Sequence, residues 1–199
     1  MRGAILSFVL AHVCAVAVLP QTGGFQKHPY KGPACIADFC LVKAPLPSEE
    51  ELIGAHGPGT QVGEFRCYAV PEQKAYIHFG VGQLGSGQIV TVFVSRAPNC
   101  VDPSGKVAGA TKPFPALGTK EGLQLGDAAE KVLQLYGPPS SKRSGADGRG
   151  SMVPYSRERE GSPFGETVLV YDGPPPQLIQ AKFFIHHRKV IAMYLSCSE

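Results

Sequence analysis

The sequence predicts an α+β fold of tandem duplicated α-β-β-β units, with an antiparallel sheet and the helices packed on one of its faces. Two helix-like segments, 51–58 and 131–138, align with each other, and both end in Gly-Pro. Each is followed by three runs rich in β-branched and aromatic residues, the composition typical of strands. The 199 residues include 24 glycines and 18 prolines, about twice the usual combined share, and many of them separate these runs.

The first 20 residues predict a secretory signal peptide. One cation precedes an apolar stretch from Ala4 to Ala17, which is too short to span a bilayer, and Ala15-Val16-Ala17 is a small-x-small cleavage pattern. We therefore expect cleavage near Ala17 and an exported chain, periplasmic or extracellular, with no transmembrane segment once mature. A short membrane anchor is the alternative. Lipid anchoring at Cys14 is not expected, because the residues before it make a poor lipobox.

The cysteines predict disulfide bonds, since five remain after cleavage and the chain is expected to be exported. Three antiparallel strands bring their ends together, so Cys67–Cys100 is the preferred pair, and Cys35–Cys40 is predicted as a local bridge near the N-terminus. Cys197 is not included in this scheme.

Both helices have recognisable ends. Ser48, followed by acidic residues, begins the first helix, and Gly126-Asp127 precedes the second. Gly-Pro at 57–58 and 137–138 ends them, because glycine readily adopts the left-handed conformation and proline cannot continue a helix.

The strand-like runs of the two copies also align. The runs 65–71 and 168–174 share Tyr-x-x-Pro, and the runs 89–95 and 190–196 share their alternation of side chains. The predicted organisation is a signal peptide at 1–17, an extended N-terminal arm at 18–47, a first αβββ repeat at 48–100, a linker at 101–122 and a second repeat at 123–199 with an insertion at 140–165.

The third strand of each copy separates into two faces, because side chains alternate with a period of two. The aliphatic positions, assigned to the side of the helices, are Val90, Val92, Val94, Ile191, Met193 and Leu195. The opposite face then carries Thr91, Phe93 and Tyr194.

Two surfaces are candidates for binding a partner. A sheet face without helices that carries Phe93 and Tyr194 would be an apolar patch of the kind that marks interaction sites, unless these aromatic rings cover one another or lie under the arm. The cations of the insertion, including Arg143 and Arg149, suggest an anionic partner, and a solvated loop is the alternative.

No catalytic residue, cofactor or metal site is predicted. The glycines at 80, 82 and 85 have GxGxxG spacing, but a strand follows them instead of the helix that would hold a dinucleotide. No Cys-x-x-Cys, Gly-x-Ser-x-Gly or Walker loop occurs, and no spacing singles out a Cys–His pair among the cysteines and His56, His78 or His186. A net charge of +3 does not indicate nucleic acid binding.

The segment 122–139 resembles a motif of small bacterial envelope proteins. In that motif a Gly-Asp helix with a following valine ends in Tyr-Gly-x-Pro, here Gly126-Asp127, Val132 and Tyr136-Gly137-Pro138-Pro139. The chain is thereby similar to the SmpA/OmlA-like family and to the tandem-domain β-lactamase-inhibitor proteins. The resemblance implies a non-enzymatic binding, scaffold or inhibitor-like protein that presents its sheet to another envelope or secreted protein. An exported enzyme of unknown chemistry and a module that binds a small ligand between the two copies are the alternatives.

Overall fold

The computed structural model describes residues 30–41, 45–82, 87–98, 100–144, 167–173 and 179–197. The predicted signal peptide and most of the insertion at 140–165 lie outside these ranges. In chain order the described α-helices and strands are β1 (Cys35–Ile36), β2 (Phe39–Cys40), α1 (Glu49–His56), β3 (Thr60–Val62), β4 (Phe65–Val70), β5 (Ala75–Val81), β6 (Ile89–Ser95), α2 (Ala129–Tyr136), β7 (Ser141–Ser144), β8 (Thr167–Asp172), β9 (Ile179–His186) and β10 (Lys189–Cys197), with one turn of 3-10 helix at Pro71–Gln73. The fold is α+β, as the sequence predicts.

Eight of these strands form one antiparallel sheet in the order β3-β4-β5-β6-β10-β9-β8-β7. Each helix is followed in the sequence by four strands that run from one edge of the sheet to its centre, where β6 pairs with β10. The sequence pattern predicts three strands after each helix. The additional strands, β3 and β7, are short and form the two edges of the sheet.

The two helices end in the same way. Gly57 and Gly137 have φ angles of 83° and 72°, and each N–H donates to the carbonyl four residues earlier. The carbonyl of Gly57 accepts a hydrogen bond from the Tyr68 hydroxyl at 2.7 Å, and that of Gly137 accepts one from Tyr171 at 2.9 Å. A tyrosine on β4 and one on β8 therefore hold the two helix C-termini against the sheet.

The helix N-termini differ. Ser48 and Glu51 form a capping box, in which the Ser48 hydroxyl accepts from the Glu51 N–H at 3.1 Å and the Glu51 carboxylate accepts from the Ser48 N–H at 2.9 Å. Ala128 occupies the equivalent position of α2 and supplies no side-chain cap.

The main core lies between the sheet and the helices. Leu52 of α1 and Val132 of α2 are buried there, on the face that carries Val92 and Leu195. Residues predicted to belong to the arm and the linker are buried in the same cluster: Ile36, Ala37, Leu41, Phe114 and Leu117. The β1–β2 hairpin and the later part of the linker are thus part of the packed layer over the sheet.

Two β-bulges change the predicted faces. Thr91 pairs with Gly80 and Ile89 pairs with Val81, so Val90 is an extra residue in the β5–β6 ladder. Ile191 is the corresponding extra residue between β9 and β10. Because each bulge shifts the alternation by one residue, Ile89 and Val190 enter the core under the helices, and Ile191 packs on the opposite face. The assignment of Ile191 to the helix side was wrong, and Val90 is only half-buried.

The two described helices have eight residues each, and neither has the length and apolar character needed to cross a membrane.

Candidate functional site

A row of directly paired residues crosses the whole sheet on the face opposite the helices. From β3 to β7 it consists of Thr60, Cys67, His78, Phe93, Tyr194, Lys182, Val170 and Ser141. Directly paired residues of antiparallel strands project to the same side, so these side chains are successive neighbours. The row joins the predicted aromatic residues to one of the predicted disulfides.

Phe93 and Tyr194 form the centre of this row. The sequence pattern favours an exposed apolar patch here, but the structure buries both side chains. Each is only 6% exposed. The Phe93 ring packs edge-on against Tyr194 at 6.4 Å and against Phe184 at 6.0 Å, measured between ring centroids. These contacts match the alternative in which the aromatic rings cover one another, and they make a second, smaller apolar cluster.

The more accessible groups of this face surround the aromatic centre. Thr91 is half-buried in the neighbouring row, and Arg143 is exposed on the edge strand β7. Lys182 lies with its Nζ 5.1 Å from the centre of the Tyr194 ring, a cation–π arrangement. Burial lowers the pKa of Lys182, and the positive charge of Arg143 acts in the same direction. Arg149 lies outside the described residues.

Both predicted cysteine pairs are at disulfide distance in the structure. Cys35 and Cys40 bridge the β1–β2 hairpin with a Cα–Cα distance of 4.0 Å, and Cys67 and Cys100 are 6.1 Å apart. The second bridge ties β4 to the segment that follows β6. It lies on the same face as Phe93, in the row described above.

His78 lies directly opposite Cys67 in the β4–β5 pairing. Its Nδ1 is 3.5 Å from the Cys67 Sγ, and its ring packs edge-on against Phe93 at 5.4 Å. His78 is only 5% exposed, and within the described part of the chain its Nε2 has no hydrogen-bond partner. Burial lowers the pKa of His78 to about 4, so the imidazole is neutral at neutral pH.

Cys67, His78 and Cys100 bring three donor atoms within 4.8 Å of one another, and all three residues are buried. Sequence reasoning missed this cluster because its members are 11 and 22 positions apart, without a recognised motif. One available signal was the turn at Pro71–Gln73: a hairpin closed by Val70 and Ala75 places Cys67 opposite His78. The disulfide occupies both sulfurs, so these atoms can bind a metal only after reduction.

A separate polar cluster ties α2 to the linker on the helix side. The Tyr136 hydroxyl lies 2.6 Å from the Thr119 hydroxyl and donates to the Glu121 carboxylate at 2.9 Å. Burial and the Glu121 charge raise the pKa of Tyr136. The cluster provides hydrogen-bond partners for a buried hydroxyl.

Comparison of the chain with protein-family models, curated proteins and solved structures finds no match. The similarity to SmpA/OmlA-like proteins therefore remains a prediction from the motif at 126–138.

Proposed function

We propose that this protein is an exported, non-enzymatic binding module that presents the sheet face opposite its helices to another envelope or secreted protein. The layering of the fold carries the proposal. The helices, the β1–β2 hairpin and the later part of the linker, with Phe114 and Leu117, pack on one face. The start of the linker reaches the edge of the other face, where the Ala108 N–H donates to the Thr60 hydroxyl. Among the described residues, neither helix packs on the other face, where aromatic side chains lie between polar and charged ones.

Export is supported by the leader pattern at 1–17 and by the two disulfides, because disulfides persist mainly in oxidising compartments. A duplicated unit is supported by three shared features: four strands after each helix, a tyrosine that holds each helix end, and a bulge in β6 and in β10.

The duplication gives the proposed surface an approximate twofold symmetry. Phe93 pairs with Tyr194, its equivalent in the second copy, so the pseudo-symmetry axis passes between them. The two sides differ in chemistry, since neutral His78 flanks Phe93 and the cation Lys182 flanks Tyr194. This difference would orient a partner on an otherwise similar surface.

The buried rings at the centre would support the surface, and the surrounding groups would make the contacts. Arg143 is exposed and Lys182 is half-buried, and both lie in the second half of the sheet. An acidic group of the partner placed here would gain charge-assisted hydrogen bonds. Thr91, near the axis, would contact the same partner at the centre.

The test is affinity capture of the mature protein from an envelope extract, with a variant that changes this face and leaves the aromatic centre intact. The sheet variant combines Thr91→Gln with Arg143→Glu, a net change of two charges. Lys120→Glu, at an exposed linker position on the helix side, is the control with the same change in charge. Circular dichroism and thermal unfolding must show that both variants are folded.

We expect the sheet variant to lose a specific partner that the wild type and Lys120→Glu retain. A folded sheet variant that retains every specific partner would show that the surface is assigned wrongly.

A further inference from the structure

The cluster of Cys67, His78 and Cys100 is not used by the proposed binding function. We propose that, once the Cys67–Cys100 disulfide is reduced, the two sulfurs and His78 Nδ1 bind one thiophilic divalent cation of the Zn²⁺ class. A fourth coordination position is left for water or an exogenous ligand.

The distances fit tetrahedral coordination. Zn²⁺ binds thiolate sulfur at about 2.3 Å and imidazole nitrogen at about 2.0–2.1 Å, which places the two donor atoms about 3.6 Å apart at a tetrahedral angle. Cys67 Sγ and His78 Nδ1 are already 3.5 Å apart. This pair of donors is therefore in place before the metal arrives.

Only the sulfurs have to separate. Two thiolates on one tetrahedral Zn²⁺ lie about 3.8 Å apart, against about 2.0 Å in a disulfide. The Cα atoms of Cys67 and Cys100 are 6.1 Å apart, so rotation about the side-chain bonds can supply this separation without moving β4.

The charges fit a buried site. Cys67 and Cys100 are 0% and 4% exposed, and a bare thiolate is costly in such surroundings. Two thiolates, a neutral imidazole and a divalent cation sum to zero charge. His78 supplies an imidazole nitrogen, the usual nitrogen ligand of Zn²⁺, and adds no charge to this sum.

The segment that follows β6 brings the cluster within one residue of the protein surface. Cys100 belongs to this segment and is 4% exposed, whereas its neighbour Val101 is 41% exposed. Reduction of the disulfide removes the covalent tie between this segment and β4, while the hydrogen bond from the Ala69 N–H to the Ala108 carbonyl keeps the following chain in place.

The reaction balances as two steps. A dithiol reductant transfers two electrons and two protons to the disulfide, becomes a disulfide itself, and leaves two Cys thiols. The cation then displaces both thiol protons, so that each site releases two protons to the solvent for each ion bound. Whether Cys67 and Cys100 are joined in a disulfide or reduced to thiols would therefore determine whether the chain binds a metal.

The experiment uses the mature chain with Cys35→Ser, Cys40→Ser and Cys197→Ser, so that Cys67 and Cys100 supply all of its thiols. The protein is reduced with a phosphine, the phosphine is removed without oxygen, and Co²⁺ and then Zn²⁺ are added. The visible bands of Co²⁺ report tetrahedral coordination, and competition with a chromophoric chelator measures Zn²⁺ affinity. The matched variant is His78→Phe, in oxidised and reduced forms.

We expect one ion and two released protons per reduced chain, no binding by the oxidised chain, and at least about tenfold weaker binding by reduced His78→Phe. Equal affinity in His78→Phe, binding by the oxidised chain or no binding after reduction would each overturn the proposal. His78→Gln replaces His78→Phe in the same comparison if the larger ring prevents folding.

Discussion

The buried imidazole of His78 makes the stability of the oxidised protein depend on pH. Its pKa falls from 6.5 to about 4 because burial disfavours the charged form. The unfolded chain therefore binds a proton that the folded chain does not, and stability is lost as the pH falls from the unfolded pKa towards the folded one. At 1.36 kcal/mol per pKa unit, the full loss is about 3 kcal/mol, of which about 2 kcal/mol is lost between about pH 7 and about pH 5.

The assay is urea unfolding at these two pH values under non-reducing conditions, with wild type compared to His78→Phe. On acidification, the free energy of unfolding of His78→Phe should fall by about 2 kcal/mol less than that of the wild type, because the variant lacks the group that binds the proton. His187→Asn, at an exposed turn position with a φ of 47°, is the control and should follow the wild type. The reasoning is refuted if wild type and His78→Phe show the same pH dependence, because His78 would then not be held neutral by the fold.

Three further predictions concern stability and are checked by urea unfolding at neutral pH. Tyr68→Phe and Tyr171→Phe should each lower the free energy of unfolding by about 1 kcal/mol, because each removes the hydrogen bond to a helix-ending glycine. The two effects should add in the double variant. No change in either variant would mean that the tyrosines do not hold the helix ends. Ser48→Ala should destabilise α1 by about 1 kcal/mol while Ala128→Ser stabilises α2 by up to the same amount; changes of the same sign would contradict this. Leu52→Ala should lower the free energy of unfolding by about 2–5 kcal/mol, because the side chain is only 2% exposed in the main core. A decrease below about 1 kcal/mol would argue against the packing of α1 on the sheet.

The elements with strong local patterns could be predicted from the sequence. The run 89–95 coincides with β6, and the helix ends at 57 and 137 follow from glycine and proline. The edge strands β3 and β7 could not be predicted, because Thr-Gln-Val and Ser-Lys-Arg-Ser show little alternation of apolar residues. They are strands because they pair with β4 and β8.

The candidate site was predicted in part. Period-two alternation correctly placed Phe93 and Tyr194 on the face opposite the helices, since neither lies beside the bulges. Mutual burial of the two rings was one alternative, and the sequence could not decide between it and exposure, because the burial depends on contact with Phe184, a residue distant in sequence from Phe93. The position of His78 against Cys67 is likewise a property of strand register.

The position of β10 in the sheet has a consequence for synthesis and quality control. This strand follows the other described strands in the sequence, yet it lies in the middle of the eight-stranded sheet, between β6 and β9. A nascent chain interrupted before Lys189 would leave both of those strands with unpaired backbone groups along apolar edges, which is the usual template for aggregation. A ribosomal stall late in the message would thus leave two partial sheets, each with an exposed apolar strand edge. Chaperones and proteases would bind such incomplete chains through these edges.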